Sequence, residues 1–239
     1  MTEIDQLRRV AVAGVVLAIL VSIVSTGLLL AAFDWNVEAM TFGDPRTILT
    51  GGAQAAILWR WGMLGDMFYS YLLLVPLALY AHRRLRDRKP WLVDLGLIGG
   101  LAYMLIGAAS AAMLAIAGSA LIERFAAAAP AEQFAIAQDF ELLRDMLYFG
   151  IWQTLDAITA GTWVLSMGWV LLSDRPRLGR LLVVLAAGLW VLALMTMLGV
   201  HSLAVLGAIV VGVLVVWLGW SLLDRRRPAG DARSPSFRR

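Results

Sequence analysis

Apolar residues occupy this chain in six long runs, at residues 10–33, 61–80, 91–122, 147–172, 181–200 and 202–223, with polar and charged positions confined mostly to the intervals between them. Wound as a helix at about 1.5 Å per residue, each run is long enough to cross about 30 Å of hydrocarbon. The pattern therefore predicts an all-α polytopic membrane bundle of six transmembrane helices, forming one domain over residues 1–227. The last stretch, 228–239, is rich in proline, glycine, serine and arginine, cannot bury apolar surface, and is expected to be a disordered basic tail.

The charges assign an orientation to this pattern. Arginines collect in alternate connections: Arg8 and Arg9; Arg83, Arg84, Arg86 and Arg88 with Lys89; Arg175, Arg177 and Arg180; and Arg225, Arg226 and Arg227. Basic connections stay on the cytoplasmic side, so both termini are expected there. The remaining connections carry Asp34, Glu38, Asp44, Glu132, Asp139 and Glu141, or are nearly absent, and are expected outside. The first run follows two arginines as a signal peptide would, but far exceeds the usual apolar stretch of such peptides and reads as a retained first span.

Composition agrees: 61% of residues are hydrophobic and 15% charged, against roughly half and a quarter in soluble domains. The lipid bilayer is thus the first expected partner. The net charge of +3 lies in loops and tail, a topology signal rather than a nucleic-acid footprint, so no nucleic-acid partner is expected. The absence of cysteine removes disulfides, thiolate metal sites, iron–sulfur clusters and a cysteine nucleophile.

Two of the outer connections carry helix signals. Asp44–Pro45 can cap and start a helix that leads into Ile57, Leu58, Trp59 and Trp61. Pro130 precedes Phe134, Ala137, Phe140, Leu143 and Leu147 at helical spacing. Both predict short amphipathic outer helices running into the second and fourth spans, together forming a cap. Pro76 predicts a kink in the second span.

Ionisable residues inside hydrocarbon are costly and mark candidate function. Asp66 and Asp156 are such residues, roughly 8 and 12 Å inside the outer ends of their helices by the 1.5 Å rise. Helical spacing places Tyr69 and Ser70 on the face of Asp66, and makes Gln153, Asp156 and Thr159 a polar stripe flanked by Trp152 and Trp163. Asp66, Tyr69, Ser70, Gln153, Asp156 and Thr159 are therefore the expected intramembrane polar site, a proton- or cation-binding pocket open to the outside. The competing reading satisfies the acids locally, through neighbouring hydroxyls, interfacial water, Arg60 or Arg144.

Other chemistry finds no footing in the residues. His82 and His201 fall at opposite faces, whereas a membrane haem needs imidazoles at matching depth. No lysine lies in a span to form a Schiff base, no serine is placed as a nucleophile, and the glycines make no phosphate loop. No catalytic, metal or cofactor residue is expected. Of the ten tryptophans, Trp59, Trp61, Trp91, Trp217 and Trp220 lie near span ends and predict an interface belt, and Trp152, Trp163, Trp169 and Trp190 a bundle core. Gly96, Gly100, Gly107, Ala111 and Gly118 form a small-residue stripe for helix packing, within the bundle or against a second copy or another membrane protein. The second–third and fourth–fifth spans form a weak repeat, each with an aspartate followed by an arginine–proline turn.

The stretch PLALYAHRRLRDRKP from Pro76 to Pro90 and the stretch LSDRPRLGRLLVVLAAG from Leu172 to Gly188 resemble the bacterial six-span family known as domain of unknown function 4386. The resemblance implies a multi-pass protein of the bacterial inner membrane and supplies no catalytic residues. Two functional expectations follow: a small proton- or cation-linked transporter or permeation module, or a non-catalytic membrane subunit or sensor partner that docks another membrane protein.

Overall fold

The computed structural model describes residues 2–37, 40, 45–200, 212–213, 216–217 and 219–220. These residues are helical with no strand among them. Four of the helices are long and apolar enough to cross a membrane: Glu3–Ala32, Arg46–Leu85, Pro90–Ala127 and Pro176–Met197. The protein is therefore an all-helical membrane protein. Helix also runs without interruption through residues 130–171, where the fourth span is expected. This rod is not among the four; Gln153, Thr154, Asp156, Thr159, Thr162 and Ser166 dilute its apolar character. The span expected at 202–223 lies mostly outside the described residues, as do Asp44, His201 and the tail.

Helix α1, Glu3–Ala32, starts before the apolar run because Thr2 and Asp5 form a reciprocal capping box, with Asp5 N donating to Thr2 Oγ1 at 3.3 Å and Thr2 N to Asp5 Oδ2 at 3.1 Å. The second rod is built of unlike pieces. A 3₁₀ turn at Pro45–Gly51 precedes α2, Gly52–Asp66; a π-helical segment, Met67–Tyr71, and a 3₁₀ turn, Leu72–Leu74, then lead into α3, Val75–Leu85. Where a kink at Pro76 is expected, the helix changes type just before the proline, which occupies the first turn of α3, where its missing N–H costs nothing.

The third rod comprises α4, Pro90–Met113, a π segment at Leu114–Gly118, and α5, Ser119–Ala127. The fourth comprises α6, Pro130–Asp145, a long π segment at Met146–Asp156, and α7, Ala157–Leu171; the fifth is α8, Pro176–Met197. The turns before α4 and α8 match closely. Lys89 (φ −143°, ψ 79°) and Arg175 (φ −135°, ψ 68°) are held out of the helical region by the prolines that follow them, and Arg88 pairs with Asp174 across the two turns. The repeat extends no further, since Asp156 lies about one turn nearer its proline than Asp66 does.

Between membrane helices packing rather than hydrophobic exclusion supplies cohesion, which favours close backbone approach at small residues. The glycine–alanine stripe of the third rod is consumed in this way within the chain. A methyl group on Gly96 would meet Met167 and Ser166, on Gly100 Trp163, on Gly107 Tyr71, and on Gly118 Trp59, while Ala111 is fully buried. At the other side of the second rod, Ser25 Oγ of α1 donates to the Gly62 carbonyl at 2.6 Å.

The predicted cap exists as packing between the Pro45–Gly51 turn, α5 and α6. Ile48 and Leu49 are buried, and Phe33, Trp59 and Phe140 stack through centroid distances of 6.3 and 5.9 Å. On α6 the apolar face is narrower than the sequence spacing suggests: Ala137, Phe140 and Leu147 turn inward, but Phe134 is 66% exposed. The tryptophans also correct the expectation. Trp61 and Trp91 face outward as a belt would, whereas Trp59, Trp217 and Trp220 are interior. Trp169 and Trp190, expected in the core, are about half exposed on the bundle surface.

Candidate functional site

The π segment at Met67–Tyr71 organises the site. An α-helical turn returns to the same face after three or four residues, which directs Tyr69 and Ser70 toward Asp66; the wider π turn adds a fifth position, and Tyr71 swings inward as well. Ser70 Oγ donates to Asp66 Oδ1 at 2.8 Å, and Tyr69 lies beside the same carboxylate. Asp66 is partly accessible. Tyr71, 5% exposed, reaches across the bundle and donates its hydroxyl to Asp156 Oδ2 at 2.9 Å.

Tyr71 can take this position because Gly107 faces it. A Cβ at Gly107 would fall 1.8 Å from the Tyr71 ring carbon Cε1. The ring also packs against Tyr103 at a centroid distance of 5.0 Å, and Tyr103 donates to the Ser70 carbonyl at 3.1 Å. That bond engages a main-chain oxygen within the π segment, where regular helical pairing is disturbed.

Asp156 closes the third π segment and is 4% exposed. Its Oδ2 has Tyr71 as a partner; its Oδ1 is buried without one among the described residues. The two carboxylates lie within electrostatic reach of each other. One turn earlier, Gln153 Oε1 accepts from Thr196 Oγ1 of α8 at 3.2 Å, and Gln153 Nε2 and Trp152 Nε1 are buried without partners among the described residues. Buried polar groups are ordinarily paired, so a cluster of exceptions on one stretch of helix is a mark of function or of sites for water.

Of the six predicted residues, Tyr69 and Ser70 surround Asp66, and Gln153 lies one turn from Asp156 with Thr196 as its partner, while Tyr71 joins the segment of Asp66 to Asp156. Thr159 does not join them. Its hydroxyl returns to the backbone of its own helix, at 2.8 Å from the Leu155 carbonyl and 3.3 Å from that of Asp156, and its turn is packed against Gly99. The arginines that could have neutralised the acids are engaged elsewhere: Arg60 with Ser119 at 3.0 Å and Glu123 at 3.3 Å, and Arg144 with Asp145 and, at 5.6 Å, the Phe149 ring.

Tyr71, Tyr103 and Thr196 are site residues that α-helical spacing passes over. Tyr71 is five residues beyond Asp66, a separation that shares a face only in a π turn, and Tyr103 and Thr196 arrive from other rods. The signal open to a sequence reader was polarity itself, since a tyrosine or threonine in mid-span needs a partner.

About one turn past Asp156, toward the arginine turns, the interior changes character. A cavity of about 30 Å³ is lined by Leu74, Leu77, Tyr103, Trp163, Leu189 and Trp217, among others. Trp163 and Trp217 stack at 5.5 Å and 17°. Beyond it, Tyr80 packs on Trp220 at 5.6 Å, and His82 Nε2 meets Asp94 Oδ1 at 2.8 Å with Arg86 Nε at 3.2 Å from the same oxygen. The acid pair, the apolar cavity and this ion-paired end therefore follow one another along the bundle. No protein-family model, curated protein or solved structure matches the chain.

Proposed function

We propose that this protein is a small transport or permeation module for protons or cations, with Asp66 and Asp156 as its binding site. The observation that supports the reading best is the presence of two carboxylates inside an apolar bundle, with no basic side chain engaged on either and one Asp156 oxygen without a partner among the described residues. A buried carboxylate without a counter-charge is costly, and a bound proton or cation removes that cost. In this reading the chain spans the inner membrane of a bacterium six times, with the arginine turns and both termini in the cytoplasm and Asp66 facing outward; the alternation of basic connections and the resemblance carried by residues 76–90 and 172–188 support that placement. The docking alternative loses its chief support because the small-residue stripe is already covered by Tyr71, Trp59, Trp163, Ser166 and Met167.

The test is uptake into liposomes holding the purified protein. Wild type is expected to carry protons or a monovalent cation down an imposed gradient, and Asp66→Asn and Asp156→Asn to abolish that flux while retaining the wild-type elution profile in detergent. A folded wild type without flux, or flux indifferent to both substitutions, would end the transport reading.

A further inference from the structure

We propose that the ligand of this site is a proton taken at Oδ1 of Asp156, and that Tyr71, seated in the notch left by Gly107, is the positioning residue that reserves this oxygen. The inference rests on the transport reading and narrows it.

The coordination chemistry argues against a metal cation. Calcium takes six to eight oxygens, and magnesium a near-ideal octahedron. On the turn before Asp156 the groups without a partner among the described residues are donors, the indole N–H of Trp152 and the amide nitrogen of Gln153, which offer a cation no ligand. Thr196 already gives its hydroxyl proton to Gln153 or to the Leu192 carbonyl. Among the described residues no three His, Asp or Glu side chains gather as a metal site. A proton needs only one oxygen and no coordination shell.

The geometry explains how that oxygen is kept. Tyr71 donates to Oδ2 at 2.9 Å and leaves Oδ1 as the oxygen without a partner among the described residues. Its ring is held by Tyr103 and by the bare backbone of Gly107, one turn apart on the same helix. The bond and its seat come from different rods, the second and the third, so a change in either should alter the same carboxylate on the fourth. Proton binding forms one O–H bond at Oδ1 and neutralises Asp156, with the hydroxyl of Tyr71 still donating to Oδ2; no other reactant is consumed.

The experiment compares proton uptake, read by an entrapped pH dye, with sodium, potassium and calcium uptake in the same liposomes. Wild type is expected to move protons and none of the three metals. Tyr71→Phe keeps the ring and its seat but removes the hydroxyl, and is expected to lower proton uptake by about tenfold or more and to displace its pH profile. Gly107→Ala should do the same by pushing the ring out of its notch; because this variant also threatens the fold, Tyr71→Phe is the deciding one. Asp156-dependent uptake of a metal ion would overturn the proton assignment and leave the transport reading standing. Proton uptake with an unchanged pH profile in Tyr71→Phe would overturn the role of Tyr71 alone. A folded wild type that moves neither protons nor metals would overturn both.

Discussion

The half of the bundle that holds the acids and the half that ends in the arginine turns are built from the same kind of rods but solve opposite problems. In the acid half, helical regularity is repeatedly broken: π segments at Met67–Tyr71, Leu114–Gly118 and Met146–Asp156 all lie there. Within or beside these segments a carbonyl is met by a side-chain donor, Ser70 by Tyr103 at 3.1 Å, Leu114 by Trp59 at 2.9 Å and Phe149 by Thr154 at 2.8 Å. In the arginine half, α3, α7 and the first turns of α4 and α8 are regular, and their interior is leucine, valine and tryptophan around a small cavity. Hydrocarbon tolerates irregular backbone only where the protein itself satisfies it. The contrast teaches that the polar site and the broken helices are one feature: the π turns supply the extra inward positions and acceptors that a polar cluster needs.

If the two halves differ in access to water, the largest effect will appear in thiol labelling, for which a chain without cysteine is a ready background. Tyr69→Cys, beside the partly accessible Asp66, is expected to react with a membrane-impermeant thiol reagent in liposomes. Val164→Cys, 1% exposed at the cavity, is expected to stay unlabelled from either side. Rapid labelling at residue 164 would show that water reaches past the acids, and the contrast would collapse.

A stability measurement sharpens the same comparison. Trp163 is 3% exposed, stacks on Trp217 and fills the space over Gly100, so Trp163→Ala should cost about 3–5 kcal/mol. Trp169, six residues later and 52% exposed, should lose no more than about 0.5 kcal/mol on the same change. Unfolding in detergent, followed by tryptophan fluorescence or circular dichroism, reads both. Equal losses would mean that the arginine half is not held by its packed aromatic interior.

These two tryptophans also show where the sequence was legible and where it was not. Run length and apolar content carry helix position well, because a bilayer sets both, and the arginine–proline turns before Pro90 and Pro176 were visible, although the helix at Pro176 starts five residues ahead of the expected 181. Which face of a helix turns inward is another matter. In lipid the outer face is as apolar as the core, so hydropathy alone cannot rank Trp163 above Trp169, or place Trp59 inside and Trp61, two residues away, outside. The candidate site was legible through charge, since Asp66 and Asp156 stand out in any apolar run. Tyr71 was hidden because α-helical spacing was applied to a π turn, whereas Thr159 was included because it lies one regular turn past Asp156, and spacing does not reveal that its hydroxyl is taken by its own helix backbone.

The smallest effect concerns a charged tie between the arginine turns, Arg88 with Asp174, whose side chains are 34% and 47% exposed. Each turn is already fixed by its own proline and by the backbone bonds that close it, from Arg88 N to the Leu85 carbonyl and from Arg175 N to that of Leu171. The pair therefore joins two preformed units across a screened surface, where such bridges contribute about 0.2–1 kcal/mol. A double-mutant cycle with Arg88→Ala and Asp174→Ala is expected to return a coupling in that range, smaller at high salt. A coupling above about 2 kcal/mol would exceed what an exposed pair supplies and would make the tie a clamp, so that the arginine half would be held shut by charge at its turns rather than by the aromatic interior behind them.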